Sequence, residues 1–103
     1  MAITMWVRAF GAAPGERLAE GNRPWTPPYD LLTPEETPLL YGVDPYDDTI
    51  FNRRQCERLL MREVTHLRTQ RLAPDQIAML DELDRLILET NRSPHRYLLF
   101  NGD

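Results

Sequence analysis

Apolar and polar positions alternate with a period of two over residues 3–10, ITMWVRAF. Ile3, Met5, Val7 and Ala9 fall on one side, and Thr4, Trp6, Arg8 and Phe10 on the other. This period, with β-branched and aromatic residues in it, predicts a strand. Trp6 and Phe10 give the second side apolar character too, so cover on both faces is expected. Later in the chain the period becomes helical. At about 100° per residue, Cys56, Leu60, Val64 and Leu67 share one stripe with Leu59 at its edge. The pattern predicts a first helix over about 49–70, opening near Asp48 or Thr49, with Glu63 beside the stripe. A second helix is predicted over about 74–90. Pro74 and Asp75 suit its first turn, because proline needs no N–H partner there and an acid favours the positive end of the dipole. Ile77, Leu80, Leu83 and Ile87 form its core face, widened by Met79 and Leu86, and NRSP at 91–94 stops it.

RYLLF at 96–100 reads as a closing strand, and LLYGV at 39–43 is the best candidate for a third. The expected fold is therefore α+β: a small sheet of two strands, or three if residues 39–43 join, packed by a two-helix hairpin. The segment between strand and helices, residues 11–47, holds seven of the nine prolines. Proline fixes φ and removes a donor, so long regular elements are disfavoured there. The segment also holds Trp25, Tyr29, Leu31 and Leu32, which predicts an ordered loop pinned to the core. Within it, Thr33, Pro34 and Glu36 match a capping box for one helical turn ending at Pro38.

Length and composition bound the function. A chain of 103 residues builds one domain with one modest core. No apolar run nears the roughly 20 residues that span a bilayer. The opening MAITMWVRAFG lacks the cationic and then long apolar pattern of a signal peptide. With a single cysteine, Cys56, no internal disulfide or multi-thiolate zinc site is expected, and the protein reads as cytoplasmic. Residues 1–50 carry Arg8, Arg17 and Arg23 against eight acids, a net of −5, while residues 51–103 carry nine arginines against eight acids. An acidic front half disfavours general nucleic-acid binding and suits a basic partner. All 12 basic residues are arginine, which GC-rich coding explains more economically than selection for bidentate anion recognition.

The densest polar cluster is DPYDDT at 44–49. Asp44, Asp47 and Asp48 could in principle offer carboxylates to a hard cation, but the alternating spacing of a calcium loop is missing. A turn started by Asp44-Pro45 and a helix cap at Asp48 or Thr49 is more economical. A contact surface is the functional alternative. Arg54, Arg58, Arg62 and Arg68 make a row on the first helix, read as a solvated face or as an anion-binding strip. Cys56 sits on the apolar stripe, where cysteine behaves as a small hydrophobe. Pairing it with His66 or His95 as a nucleophile would need an exposed, activated thiolate. FGAAPG matches no phosphate-binding loop. Trp25, Tyr29, Tyr41 and Tyr46 are either loop anchors or interface residues.

LLYGVDPYDDTIFNRRQ, the amphipathic helix after it and the closing YLLFNGD together resemble a group of small uncharacterised bacterial proteins. That group shares a D-P-Y-x-D-T-x-F-N-x-x-Q core and an aromatic-x-G-D end. The similarity covers roughly residues 38–67 and 95–103, with Asn101 before Gly102-Asp103 here. The resemblance puts weight on Asp44, Asp47, Thr49, Phe51, Asn52 and Gln55, and it implies an immunity-like role beside a secreted bacterial toxin.

The expected function is thus a noncatalytic protein-binding module, an immunity protein or inhibitor that occludes a basic bacterial protein. Its expected contacts are Trp25, Tyr29, Asp44, Tyr46, Asp47 and Asp48. The alternative is a small regulator that binds nucleic acid, or a complex containing it, through the arginine row. No convergent acid, base and nucleophile set is visible, so no enzyme, metal or cofactor is expected. A homodimer remains open through the wide apolar arc of the second helix.

Overall fold

The computed structural model describes residues 3–9, 23–27 and 29–102. Phe10 of the predicted first strand, and residues 11–22 and Pro28 of the predicted loop, lie outside the described residues. Strand β1 spans Thr4–Ala9, β2 Arg23–Pro24, β3 Thr49–Asn52 and β4 Arg96–Asn101. They form one antiparallel sheet in the order β2-β1-β4-β3. Helix α1 is a single turn, Pro38–Tyr41. Helix α2 covers residues 53–68, in which Gln55–Leu60 is wound as a π-helix and Met61–Arg68 as an α-helix. Helix α3 is Pro74–Asn91. The α+β class, the two terminal strands and the helical hairpin agree with the sequence pattern.

The two strands placed by their period pair directly, with Met5 opposite Phe100 and Val7 opposite Leu98. All four side chains are buried, and α3 crosses this face of β1 and β4. Cys56, Leu60, Val64 and Leu67 of α2, which contacts α3 and, through its first turns, β3, are also buried, so the predicted stripe is the one the core uses. On the opposite sheet face Trp6 and Leu99 are half-buried and Ile50 is exposed. The Arg8 guanidinium lies 4.4 Å from the Trp6 ring centroid and covers part of it.

Three expectations are corrected. Residues 39–43 are not a strand. Pro38 occupies the first position of a helical turn, and the Glu63 carboxylate accepts the N–H groups of Leu39 (3.0 Å) and Leu40 (2.9 Å). A cap supplied by a residue more than twenty positions away overrides the strand-like local composition. The first helix does not open at Asp48 or Thr49. Thr49–Asn52 pairs with β4, because Phe51 is drawn into the core against Phe100, ring centroids 5.7 Å apart. Asn52 and Gln55 then cap the helix reciprocally, Gln55 N–H to Asn52 Oδ1 at 2.9 Å and Asn52 N–H to Gln55 Oε1 at 2.8 Å. The sheet has four strands: β3 and the short β2 join the two terminal strands on opposite edges, and a proline is tolerated on the β2 edge.

Smaller differences have similar causes. Ile77, expected in the core, is 43% exposed, because α3 enters the packed layer only from Met79 onward. Thr33 does accept the Glu36 N–H at 3.0 Å, but the returning acceptor is the buried Thr37 hydroxyl, which takes the Thr33 N–H at 2.9 Å. Pro38 therefore opens a helical turn instead of ending one.

Candidate functional site

The 44–49 segment is a turn held by its own side chains. Asp44 Oδ1 accepts the Tyr46 N–H at 2.8 Å, and the Asp44 N–H donates to Thr49 Oγ1 at 3.0 Å. Asp47 Oδ1 accepts the Asp48 N–H at 2.8 Å. The turn is then fastened to the end of β4: Asn101 Nδ2 donates to Asp48 Oδ1 at 2.8 Å, and the Gly102 N–H donates to the Asp47 carbonyl at 3.1 Å. Gly102 is required by this approach. A Cβ there would overlap the Asp47 carbonyl oxygen and stand 2.5 Å from Asp47 N and 2.6 Å from Asp44 O. The segments 44–55 and 97–102 are therefore two halves of one interlock. Each of Asp44, Asp47, Thr49, Phe51, Asn52 and Gln55 has a part in the fold.

The aspartates are nonetheless exposed, and each hydrogen bond above occupies only one carboxylate oxygen. From Trp25 to Asn52 the sequence contains no lysine, arginine or histidine and six acids: Asp30, Glu35, Glu36, Asp44, Asp47 and Asp48. All six lie at the surface. The aromatics of this segment divide sharply. Trp25 is 1% exposed, while Tyr29, Tyr41 and Tyr46 are 64%, 57% and 69% exposed. The structure brings Tyr29 to Pro45 across an apolar cavity of about 350 Å³ whose lining includes Ile3, Pro24 and Trp25. A smaller cavity of about 80 Å³ adjoins it through Trp25 and Tyr29 and reaches Tyr41 and Val43. An apolar recess of this kind, beside a stretch of chain whose charged residues are all acidic, can take an apolar side chain flanked by positive charge.

The arginine row is broken. Arg68 Nη2 lies 2.9 Å from Asp81 and 3.6 Å from Asp84 of α3, so it ties the two helices together. Arg54, Arg58 and Arg62 are exposed. On the same side His66 Nδ1 lies 3.7 Å from Glu36 Oε2, above a cleft shared with Arg62 and Glu63. Among the described residues no group of three His, Cys, Asp or Glu side chains is arranged to hold a metal ion. Nor, among the described residues, is any helix long and apolar enough to cross a membrane.

Cys56 is fully buried, and burial pushes its thiol up to about 12, with the Leu98 backbone offsetting only part of that. A buried thiol raised in this way lacks the exposed, activated thiolate that a nucleophile requires. A thiol reagent such as Ellman's reagent is expected to leave the native protein untouched at pH 8 and to titrate one thiol after unfolding in guanidinium. Rapid native reaction would mean that the 51–60 region opens.

Glu63 is the residue that sequence reasoning undervalued. Its place beside an apolar stripe was the available signal, since a carboxylate there must find partners or stay out of the core. It finds the α1 N–H groups and is 3% exposed. Burial pushes its carboxyl above the ordinary range, and the Leu40 and Leu39 N–H groups offset this only in part. No protein-family model, curated protein or solved structure matches this chain.

Proposed function

We propose that the protein is a noncatalytic binding module, an immunity protein or inhibitor that occludes a basic bacterial protein in the cytoplasm. One observation carries this reading. Exposed Tyr29, Tyr41 and Tyr46 belong to a stretch whose charged residues are all surface carboxylates, and Tyr29 and Tyr41 line apolar recesses beside it. Tyrosine supplies large contact area at low entropy cost, and unopposed acids steer a cationic partner into place. In the complex Tyr29, Asp44, Tyr46, Asp47 and Asp48 touch the partner, and Trp25 forms the floor of the recess. The interlock with Asn101 and Gly102 keeps the 44–48 turn rigid, which lowers the ordering cost of binding. The partner class agrees with the resemblance to small immunity-like bacterial proteins.

The experiment is affinity capture from a lysate of the protein's own host at low and moderate salt, with bound species identified by mass spectrometry. A single basic protein recovered stoichiometrically is the expected result. The triple change Tyr46→Ala, Asp47→Ala, Asp48→Ala should then weaken its binding by about 100-fold, given roughly 1–2 kcal/mol for an exposed aromatic and a charge pair at an interface. The same variant should lose no more than about 1 kcal/mol of stability, because the hydrogen bonds it removes are exposed. Large destabilisation with intact binding would reduce the segment to a turn. The alternative, a regulator that binds nucleic acid through Arg54, Arg58, Arg62 and Arg68, is favoured by the three exposed cations and weakened by the pairing of Arg68 and the net charge of −4. Recovery of nucleic acid in the capture would select it.

A further inference from the structure

The strand pairing that buries Phe51 also gathers a second set of side chains. Asn52 stands opposite Tyr97 in the β3–β4 register, so residues 52–54 meet residues 95–96 at the far end of that pair. There Asn52, Arg53, Arg54, His95 and Arg96 line an open cavity of about 330 Å³. None of the lining residues is acidic. The acidic turn at 44–48 abuts Thr49 at the other end of β3, roughly 10 Å away at about 3.3 Å per residue. The two ends of one short strand thus carry opposite charge.

Two of the three arginines of this cavity are not paired with a described residue. Arg53 and Arg54 are exposed and form no ion pair with a described residue. Arg96 is held in position: Nη1 donates to the Glu89 carbonyl at 2.8 Å and lies 3.5 Å from the Glu89 carboxylate, which also takes Arg92 at 3.1 Å. Arg53 and Arg54 also occupy the first turn of α2, where the helix dipole already presents positive charge. Helix α3 of the same chain has Asp75 at that place. Two cations against a dipole, beside a third arginine and a histidine, cost stability and point to an anion that offsets them. The Asn52 carbonyl oxygen is occupied by the Gln55 N–H, so its NH₂ group remains as a further donor.

We propose that this cavity binds a phosphate group, as inorganic phosphate or as the terminal group of a small phosphate monoester. Guanidinium groups from two separate segments, with a histidine and an amide, line the one cavity. That arrangement suits a tetrahedral dianion with many acceptor oxygens better than a planar carboxylate. An extended polyanion is disfavoured because the rest of the chain is acidic, with a net charge of −4. This site is independent of the acidic surface and stands or falls without it.

The test is a titration followed by amide NMR and by thermal melting, at constant ionic strength set with sodium chloride. The probes are inorganic phosphate, glycerol phosphate and a short single-stranded oligonucleotide, each against wild type and Arg53→Gln/Arg54→Gln. The expected result is saturable shifts confined to residues 52–55 and 95–97, a raised melting temperature with phosphate, and binding at least about tenfold weaker in the variant. Without phosphate the variant should melt no lower than wild type, since it removes the conflict with the helix dipole. Tighter binding of glycerol phosphate would assign the site to a phosphorylated metabolite, and equal binding to the free ion. Non-saturating shifts, shifts spread over Arg58, Arg62 and Arg71, or undiminished binding by the variant would overturn the proposal. So would an oligonucleotide that binds more tightly than the monoester.

Discussion

Trp25→Ala is expected to destabilise the protein by about 3–5 kcal/mol, the range for truncating a large buried aromatic. The indole is 1% exposed and meets Phe100 edge-on at 5.4 Å and 79°, and Phe100 meets Phe51 in the same way at 5.7 Å and 83°. Three segments far apart in sequence share this aromatic chain. The backbone around Trp25 is tied in as well: its N–H donates to the Ile3 carbonyl at 2.9 Å, and the Thr26 N–H approaches Met79 Sδ at 3.1 Å. The two cavities beside Trp25 would merge with the vacated volume, so the site has little capacity to collapse and the loss should fall in the upper part of that range. For a domain of this size such a change lowers the melting temperature by roughly 15 °C or more. Trp25→Phe keeps the edge contact and should cost less than half as much. Urea denaturation followed by circular dichroism measures both variants. A loss below about 1 kcal/mol for the alanine variant would show that residues 23–27 contribute little to the core.

Glu63 gives the second large effect, and its sign with pH is specific. Glu63→Ala removes the acceptor of two N–H groups, one of them buried, and should cost about 2–4 kcal/mol at neutral pH. Residues 38–41 would be the first to lose protection in hydrogen exchange, because α1 has no side-chain cap of its own. The carboxyl is raised in the folded protein above its ordinary value of 4.5, chiefly by burial. The folded state then holds the proton more tightly than the unfolded chain. Its contribution is fully present below about pH 4.5 and declines as pH rises through the folded value. Glu63→Gln mimics the protonated form at every pH. The cost of this change should therefore be larger at pH 4 than at pH 7, when both proteins are measured at each pH so that other titrations cancel. A cost that grows toward pH 7 would mean that the two N–H donors outweigh burial and that the carboxyl is depressed.

Which parts of this protein could be read before folding follows from where the information lies. The strands at 4–9 and 96–101, the helix at 74–91 and the stripe Cys56, Leu60, Val64 and Leu67 are local periodicities, and burial of one face demands those periods in any context. The Asp44-Pro45 turn is equally local, since an aspartate side chain reaches its own backbone two residues on. Residues 49–52 and 39–43 depart from their local pattern for the opposite reason. TIFN is too short to show a period, and its pairing depends on where Phe100 sits. PLLY looks extended until a carboxylate from α2 reaches it.

The candidate sites divide along the same line. Composition alone determines that residues 25–52 are acidic and free of positive charge, because that is a count along the chain. Which tyrosines face solvent, and that Trp25 instead lies beneath them, depends on three-dimensional packing against Phe100 and Ile3. The cluster of Arg53, Arg54, His95 and Arg96 exists only through the register of β3 on β4, which joins positions some forty residues apart. Along the sequence Arg54 aligns with Arg58 and Arg62 by helical spacing. In the fold Arg54 shares a cavity with His95 and Arg96, since strand pairing brings distant charges together at a spacing no local period encodes.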